Sequence, residues 1–456
     1  MVRYVTAVLF TLALAPGRLP AEEPRAEAPA QATTGAPPEA GAAPTHGLHF
    51  GGEIKLDFRH STLVETPLFF PFPPNFIPKG QTAVAQRTVA PGSSLEIPNV
   101  ALLAEGDLSS LVSLKVEVHF LALYNRNPTS SDDRILVREA WIRFGRFTAP
   151  LDPPAGSSVY VLTGLAPRFT KQTARRLESY GLLGTAVGRF EEPQVQLGGT
   201  AGKNVFWRAQ FGSGNPLFFR DPNALAGDNG TPNNVPGNVD PIYNSGFPIL
   251  YDAKSDDLNL SHRFEWGGGL GLRAGGESRG VSALGWYFHR KLEDAARIRG
   301  TFYRGDILLL QGVAFPLPFE GRDKREWGVN VEARAGGLRL FGQYLDQEIA
   351  KLPRRGFEAE VAYRIPIGGA FLLGETPFLE WAQPVVRVSY LDNKFTGPIE
   401  YPGQSVLWDW LKIDVGVRVG LLRNVDLTAE YTFNTMKRDL GDKHSREGLV
   451  TLRAGF

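Results

Sequence analysis

Apolar and polar residues alternate one for one along much of this chain, in stretches of about ten residues. Leu411, Ile413, Val415, Val417 and Val419 alternate with Lys412, Asp414, Gly416, Arg418 and Gly420. After a short turn at Leu422, Arg423 and Asn424, the residues Leu427, Ala429, Tyr431 and Phe433 alternate with Asp426, Thr428, Glu430 and Thr432. Successive side chains on a strand point to opposite faces, so these segments predict a hairpin with one apolar and one polar face. Ile54, Leu56 and Phe58 stand against Lys55, Asp57 and Arg59, and Val112, Leu114, Val116, Val118 and Phe120 against Ser113, Lys115, Glu117 and His119. The period returns at 327–334 and 357–365. A soluble sandwich also alternates, but its strands average about five or six residues. Strands of about ten residues, ionised at nearly every second position, fit one face on water and the other on lipid.

No run of roughly 18 apolar residues occurs beyond the amino terminus, so membrane helices are excluded and a closed barrel is the remaining way to span lipid. The predicted fold is all-β, a transmembrane antiparallel barrel of 16–18 strands; 16 is preferred because single-chain bacterial barrels have even counts. Turns such as Ala335-Gly336-Gly337 are tight, whereas other connections are long and rich in Pro, Gly, Asn and Asp; the longest runs from about 212 to 257. That asymmetry predicts short periplasmic turns and long outer loops. Phe58, Phe120, Phe144, Trp286, Phe288, Tyr390, Tyr431 and Phe433 are read as interfacial girdles.

The amino terminus carries Arg3, an apolar stretch from Tyr4 to Ala15 and small residues around Ala21, the pattern of a secretory signal peptide over 1–21. Residues 22–46 are rich in Ala, Pro, Glu, Gly and Thr without an aromatic residue, and predict a disordered linker. The barrel domain is then 47–456. Of 49 basic residues Arg3 and Arg18 fall in the leader, leaving 47 against 48 acidic ones, so net charge points to no partner. The chain has no Cys, which excludes thiolate chemistry and Cys-ligated metals.

Val450, Leu452, Ala454 and Phe456 share one parity, and a terminal Phe on such a strand resembles the signature that outer-membrane proteins present to their insertion machinery. The stretches Arg138-Glu139-Ala140-Trp141-Ile142-Arg143-Phe144 and Leu162-Thr163-Gly164-Leu165-Ala166-Pro167-Arg168-Phe169 resemble the phosphate-selective porin O and P family. Leu165 stands where that pattern has Gln, and its Lys is absent, with Arg168 after the Pro. The resemblance implies a passive outer-membrane channel, a homotrimer, with a loop folded into the lumen and basic residues along the pore.

Strand parity directs Lys115, Arg143, Arg208, Arg334, Arg364 and Arg418 into the lumen, within a set of 13 cations and 8 anions that tilts toward anion selectivity. A sharper candidate is the segment with Arg168, Lys171, Arg175 and Arg176, whose spacing over 170–177 predicts a helix in the pore. No nucleophile elbow, His-Glu-x-x-His pattern or phosphate-binding Gly-Lys-Ser/Thr loop occurs, so neither catalysis nor a cofactor or metal is expected. The glycines at 267, 268, 269 and 271 lack a βαβ context and read as turn or thin strand. The expectation is a porin for small hydrophilic solutes, with anions such as phosphate preferred. A general or sugar porin, a barrel enzyme and a plugged structural barrel are the alternatives.

Overall fold

The computed structural model describes residues 47–62, 65–68, 84–87, 92–121, 135–147, 149–151, 156–172, 174, 176–184, 191–214, 251–254, 264–276, 278–291, 297–300, 323–349, 352–369, 371–374, 376–393, 409–437 and 441–456. The expected signal peptide and linker and most of the 212–257 loop lie outside them. Eighteen segments form one sheet. Two of these, Gly92–Glu96 and Ile365–Pro366, are collinear pieces of longer neighbours, which leaves a closed barrel of 16 antiparallel strands.

In chain order the strands are β1 (Gly47–Ser61), β2 (Asn99–Ser109), β3 (Val112–Leu121), β4 (Ile135–Gly145), β5 (Ser158–Pro167), β6 (Glu191–Ala201), β7 (Val205–Gly212) and β8 (Glu265–Gly275). They continue with β9 (Arg279–Lys291), β10 (Asp323–Ala335), β11 (Leu338–Ile349), β12 (Leu352–Tyr363), β13 (Trp381–Asn393), β14 (Asp409–Leu422), β15 (Val425–Lys437) and β16 (Lys443–Gly455). Each pairs with its sequence neighbours. The ring closes where β1 meets β16, from Glu53 opposite Gly455 to Ser61 opposite Glu447. A four-residue piece, Arg297–Gly300, pairs with Tyr251–Lys254 outside the barrel sheet.

The barrel is inside out relative to a soluble protein. Ile54, Leu56, Phe58, Val386, Val415, Val417, Tyr431 and Phe433 are exposed on its outer surface, while Asp57, Arg59, Arg387, Lys412, Asp414 and Thr432 are buried within it. Each of the 16 barrel strands is hydrogen-bonded on both sides, so among the described residues the barrel has no open edge, and an apolar exterior on a closed barrel makes this a membrane-spanning protein of the outer-membrane type. The turn between β14 and β15 is two residues, with Asn424 at φ 66°, a left-handed conformation that Asn tolerates well.

The girdle assignment needs correction at two residues. Phe58, Phe120, Phe144, Tyr431 and Phe433 face outward, but Trp286 and Phe288 point inward and are buried. They belong to an apolar cluster inside the barrel with Phe206, Leu284, Leu345, Leu391, Trp410 and Met436. The glycine run supplies the room for it. An added Cβ would stand 2.2 Å from the Phe288 ring at Gly267 and 2.1 Å from the Phe206 ring at Gly271. These glycines are strand positions that let aromatic rings lie flat on the inner wall.

Candidate functional site

What lies against that apolar wall is the connection between β5 and β6. Leaving β5 at Pro167, the chain turns into the barrel, and Phe169, Leu182 and Leu183 pack on the cluster. Phe169 stacks on Phe288 with ring centroids 5.0 Å apart. The described residues of 170–177 are turn, bend or irregular, and among the described residues of this connection a helical turn comes first at Leu182 and Leu183, so they do not form the helix expected there. The segment is held by side chains from β6, β10, β12, β13, β14, β15 and β1, and that anchoring overrides its helical spacing.

The polar anchors can be followed residue by residue. Arg168, 4% exposed, reaches Glu326 on β10 at 2.8 Å, Glu192 on β6 at 3.6 Å and Glu265 on β8, with its guanidinium 4.4 Å from the centre of the Phe288 ring. Lys324 joins the same carboxylates, 2.9 Å from Glu265 and 2.7 Å from Glu326. Asn330 donates to the Thr170 carbonyl at 2.7 Å, Lys171 pairs with Glu191 at 2.9 Å, and Arg176 pairs with Glu360 on β12 at 2.6 Å. Farther round, Glu430 on β15 accepts the backbone N–H groups of Glu178 and Ser179 at 3.0 and 2.8 Å. Arg387 donates to the Ser179 carbonyl at 3.0 Å, Lys412 to the Tyr180 carbonyl at 2.6 Å, and Lys55 on β1 to Glu178 at 2.9 Å. The loop therefore bonds the inner wall from β6 round to β1.

Charge is matched along this path. Arg168, Lys171 and Arg176 each meet wall carboxylates, so they act as struts for the loop rather than as one bare cationic patch. Arg175 lies outside the described residues. Lys115 stands apart on β3, paired with Glu117 at 2.9 Å and Glu139 at 3.2 Å. A bulge opposite Glu117 and Val118 brings Arg138 and Glu139 to the inner side together, with Arg138 paired to Glu191.

The remaining candidates gather at the short-turn end of the lumen. Arg143 donates to Ser113 at 2.9 Å, and Arg208 to its neighbour's carbonyl, that of Trp207, at 2.9 Å. Arg334 donates to the Leu151 carbonyl at 2.8 Å, Arg364 lies 4.2 Å over the Trp381 ring, and Arg418 makes two bonds to Asp426 at 3.0 and 2.9 Å. Arg273 and Phe147 belong to this group and are not among the sequence candidates. Arg273 follows the glycine run, where alternation is invisible, and Phe147 sits in a connection with no period at all. Glu192, Glu265 and Lys324 were equally unmarked, because nothing local identifies a residue's partner across the barrel.

No protein-family model and no curated protein matches the chain. Solved structures of similar layout include the outer membrane channel DcaP of Acinetobacter baumannii, at 11% identity and TM-score 0.47 over 90% of this chain and 97% of that one. OprB of Pseudomonas putida is similar at 10% identity and TM-score 0.49, over 90% of this chain and 94% of that one. The anion-selective porin from Comamonas acidovorans is similar at 10% identity and TM-score 0.42, over 90% and 99%.

Proposed function

We propose that this protein is an outer-membrane porin, a passive channel for small hydrophilic solutes. The observation that carries the reading is the inserted loop. A single segment lies along the inner wall, fastened through Arg168, Arg176, Glu430, Arg387 and Lys412. Such a segment narrows a wide lumen to a fixed cross-section, which a channel in a barrel of this width requires. The finer part of the proposal is a preference for anions such as phosphate. It is supported by the resemblance of residues 138–144 and 162–169 and by Arg143, Arg208, Arg334, Arg364 and Arg418 near the periplasmic mouth, while the paired Arg168, Lys171 and Arg176 serve mainly to hold the loop. A homotrimer in outer-membrane lipid, inserted by way of Phe456, belongs to the same reading.

The test is single-channel recording of the refolded protein in a planar bilayer, with the reversal potential measured across a KCl gradient. An anion-selective current that phosphate reduces supports the full proposal. A current indifferent to phosphate leaves a general porin, and a folded barrel that passes no current overturns the channel.

A further inference from the structure

A second segment enters the lumen from the opposite end. The connection from β4 to β5 is on the side of the short turns, yet its first residues fold inward instead of crossing directly between the two strands. Phe147 packs edge-on against the buried Tyr160, ring centroids 5.2 Å apart. The guanidinium groups of Arg143 and Arg208 both lie over the Phe147 ring, at 5.3 and 5.2 Å. The next contacts are farther round the barrel. Arg273 on β8 donates to the Ala149 carbonyl at 3.1 Å and to that of Lys203 at 2.7 Å, and Arg334 on β10 donates to the Leu151 carbonyl at 2.8 Å. The Leu151 side chain reaches the inner face of β9, 3.8 Å from where a Cβ on Gly280 would stand.

From β5 to β10 is five inter-strand steps, or roughly 24 Å of wall at about 4.8 Å per step. A turn that only joined neighbouring strands would not reach so far. We infer that residues 146, 147 and 149–151 form a second constriction at the periplasmic mouth, in series with the β5–β6 loop, and that Arg273 and Arg334 hold it in place. The chemistry is specific to a segment without secondary structure, whose carbonyls find no partners in a sheet: guanidinium groups from β8 and β10 satisfy them. This inference rests on the channel reading.

The test uses the full chain refolded in bilayers. In Arg273→Gln with Arg334→Gln, the turn loses its distal anchors. Single-channel conductance should rise by about half, and liposome swelling should admit larger neutral sugars than the parent does. Phe147→Ala should move both readouts the same way. Because the chain has no Cys, Leu151→Cys with Gly280→Cys gives an isolated thiol pair, which a short bis-methanethiosulfonate reagent should bridge while leaving conductance near the parent value. Failure of that pair to crosslink in a folded barrel overturns the placement of the turn. Crosslinking with unchanged conductance and sugar limit in the Arg273→Gln, Arg334→Gln variant overturns its role as a constriction. A parent barrel without current defeats the channel reading instead, and the crosslink still reports where the turn sits.

Discussion

At the scale of single residues, Arg168 ties three strands of the wall to the inserted loop. It faces Glu192, Glu265 and Glu326, and Lys324 bridges the last two. Removing one member of a buried ion-pair network leaves the others uncompensated and typically costs about 3–5 kcal/mol. Arg168→Ala should therefore release the first half of the loop while the barrel, built on backbone hydrogen bonds, persists. Hydrogen exchange over 169–184 should quicken with little change in the strands, and channel current should become noisier. Arg168→Lys should rescue only in part, since an ammonium cannot fork to several carboxylates at once. The sequence marked Arg168 as important and could not say why. Its partner Glu326 is 158 positions away, a contact that only the closed barrel creates.

At the scale of strands the alternation in the sequence was enough to place most of the barrel. The paired segments around Leu411 and Leu427 form β14 and β15, joined at Arg423 and Asn424. Legibility failed where a strand turns aromatic residues inward, as at Trp286 and Phe288, because period two states that two faces differ and not which apolar residues leave the majority face. It failed again in the inserted loop, whose conformation follows the wall and not its own spacing. The closing seam offers a sharp test of strand-level packing. Phe456 and Gly52 exchange backbone hydrogen bonds of 3.0 and 3.1 Å, and an added Cβ on Gly52 would fall 2.3 Å from the Phe456 ring and 2.7 Å from the Ala101 carbonyl oxygen. Gly52→Val should lower the yield of folded barrel, read as heat-modifiable gel migration. Gly47→Ala, five residues earlier with nothing within 4 Å of the new Cβ, should leave that yield unchanged.

For the whole molecule, stability depends on which solvent each face meets. The outer belt is apolar because lipid surrounds it, and the inner wall can bury Arg387, Lys412 and Asp414 because they bond to one another and to the loop. This division was legible from the chain, since alternation with ionised residues at every second position has few other physical solutions. The matching of inner charges was not, and the sequence tilt of lumen cations over anions counted residues that now prove to be struts. The two-solvent architecture predicts a strong sidedness. Val415, near the middle of β14, is exposed on the outer surface beside Val386 and Tyr431. Val415→Arg should destabilise the barrel in lipid vesicles by about 2–4 kcal/mol, the cost of a cation near the bilayer midplane. The same charge moved to the outer end of the strand, by Leu411→Arg, should cost about 0–1 kcal/mol, since arginine there reaches the interface. Urea unfolding in vesicles, followed by tryptophan fluorescence, separates the two; equal costs at both positions would mean that the belt around Val415 does not face the bilayer core.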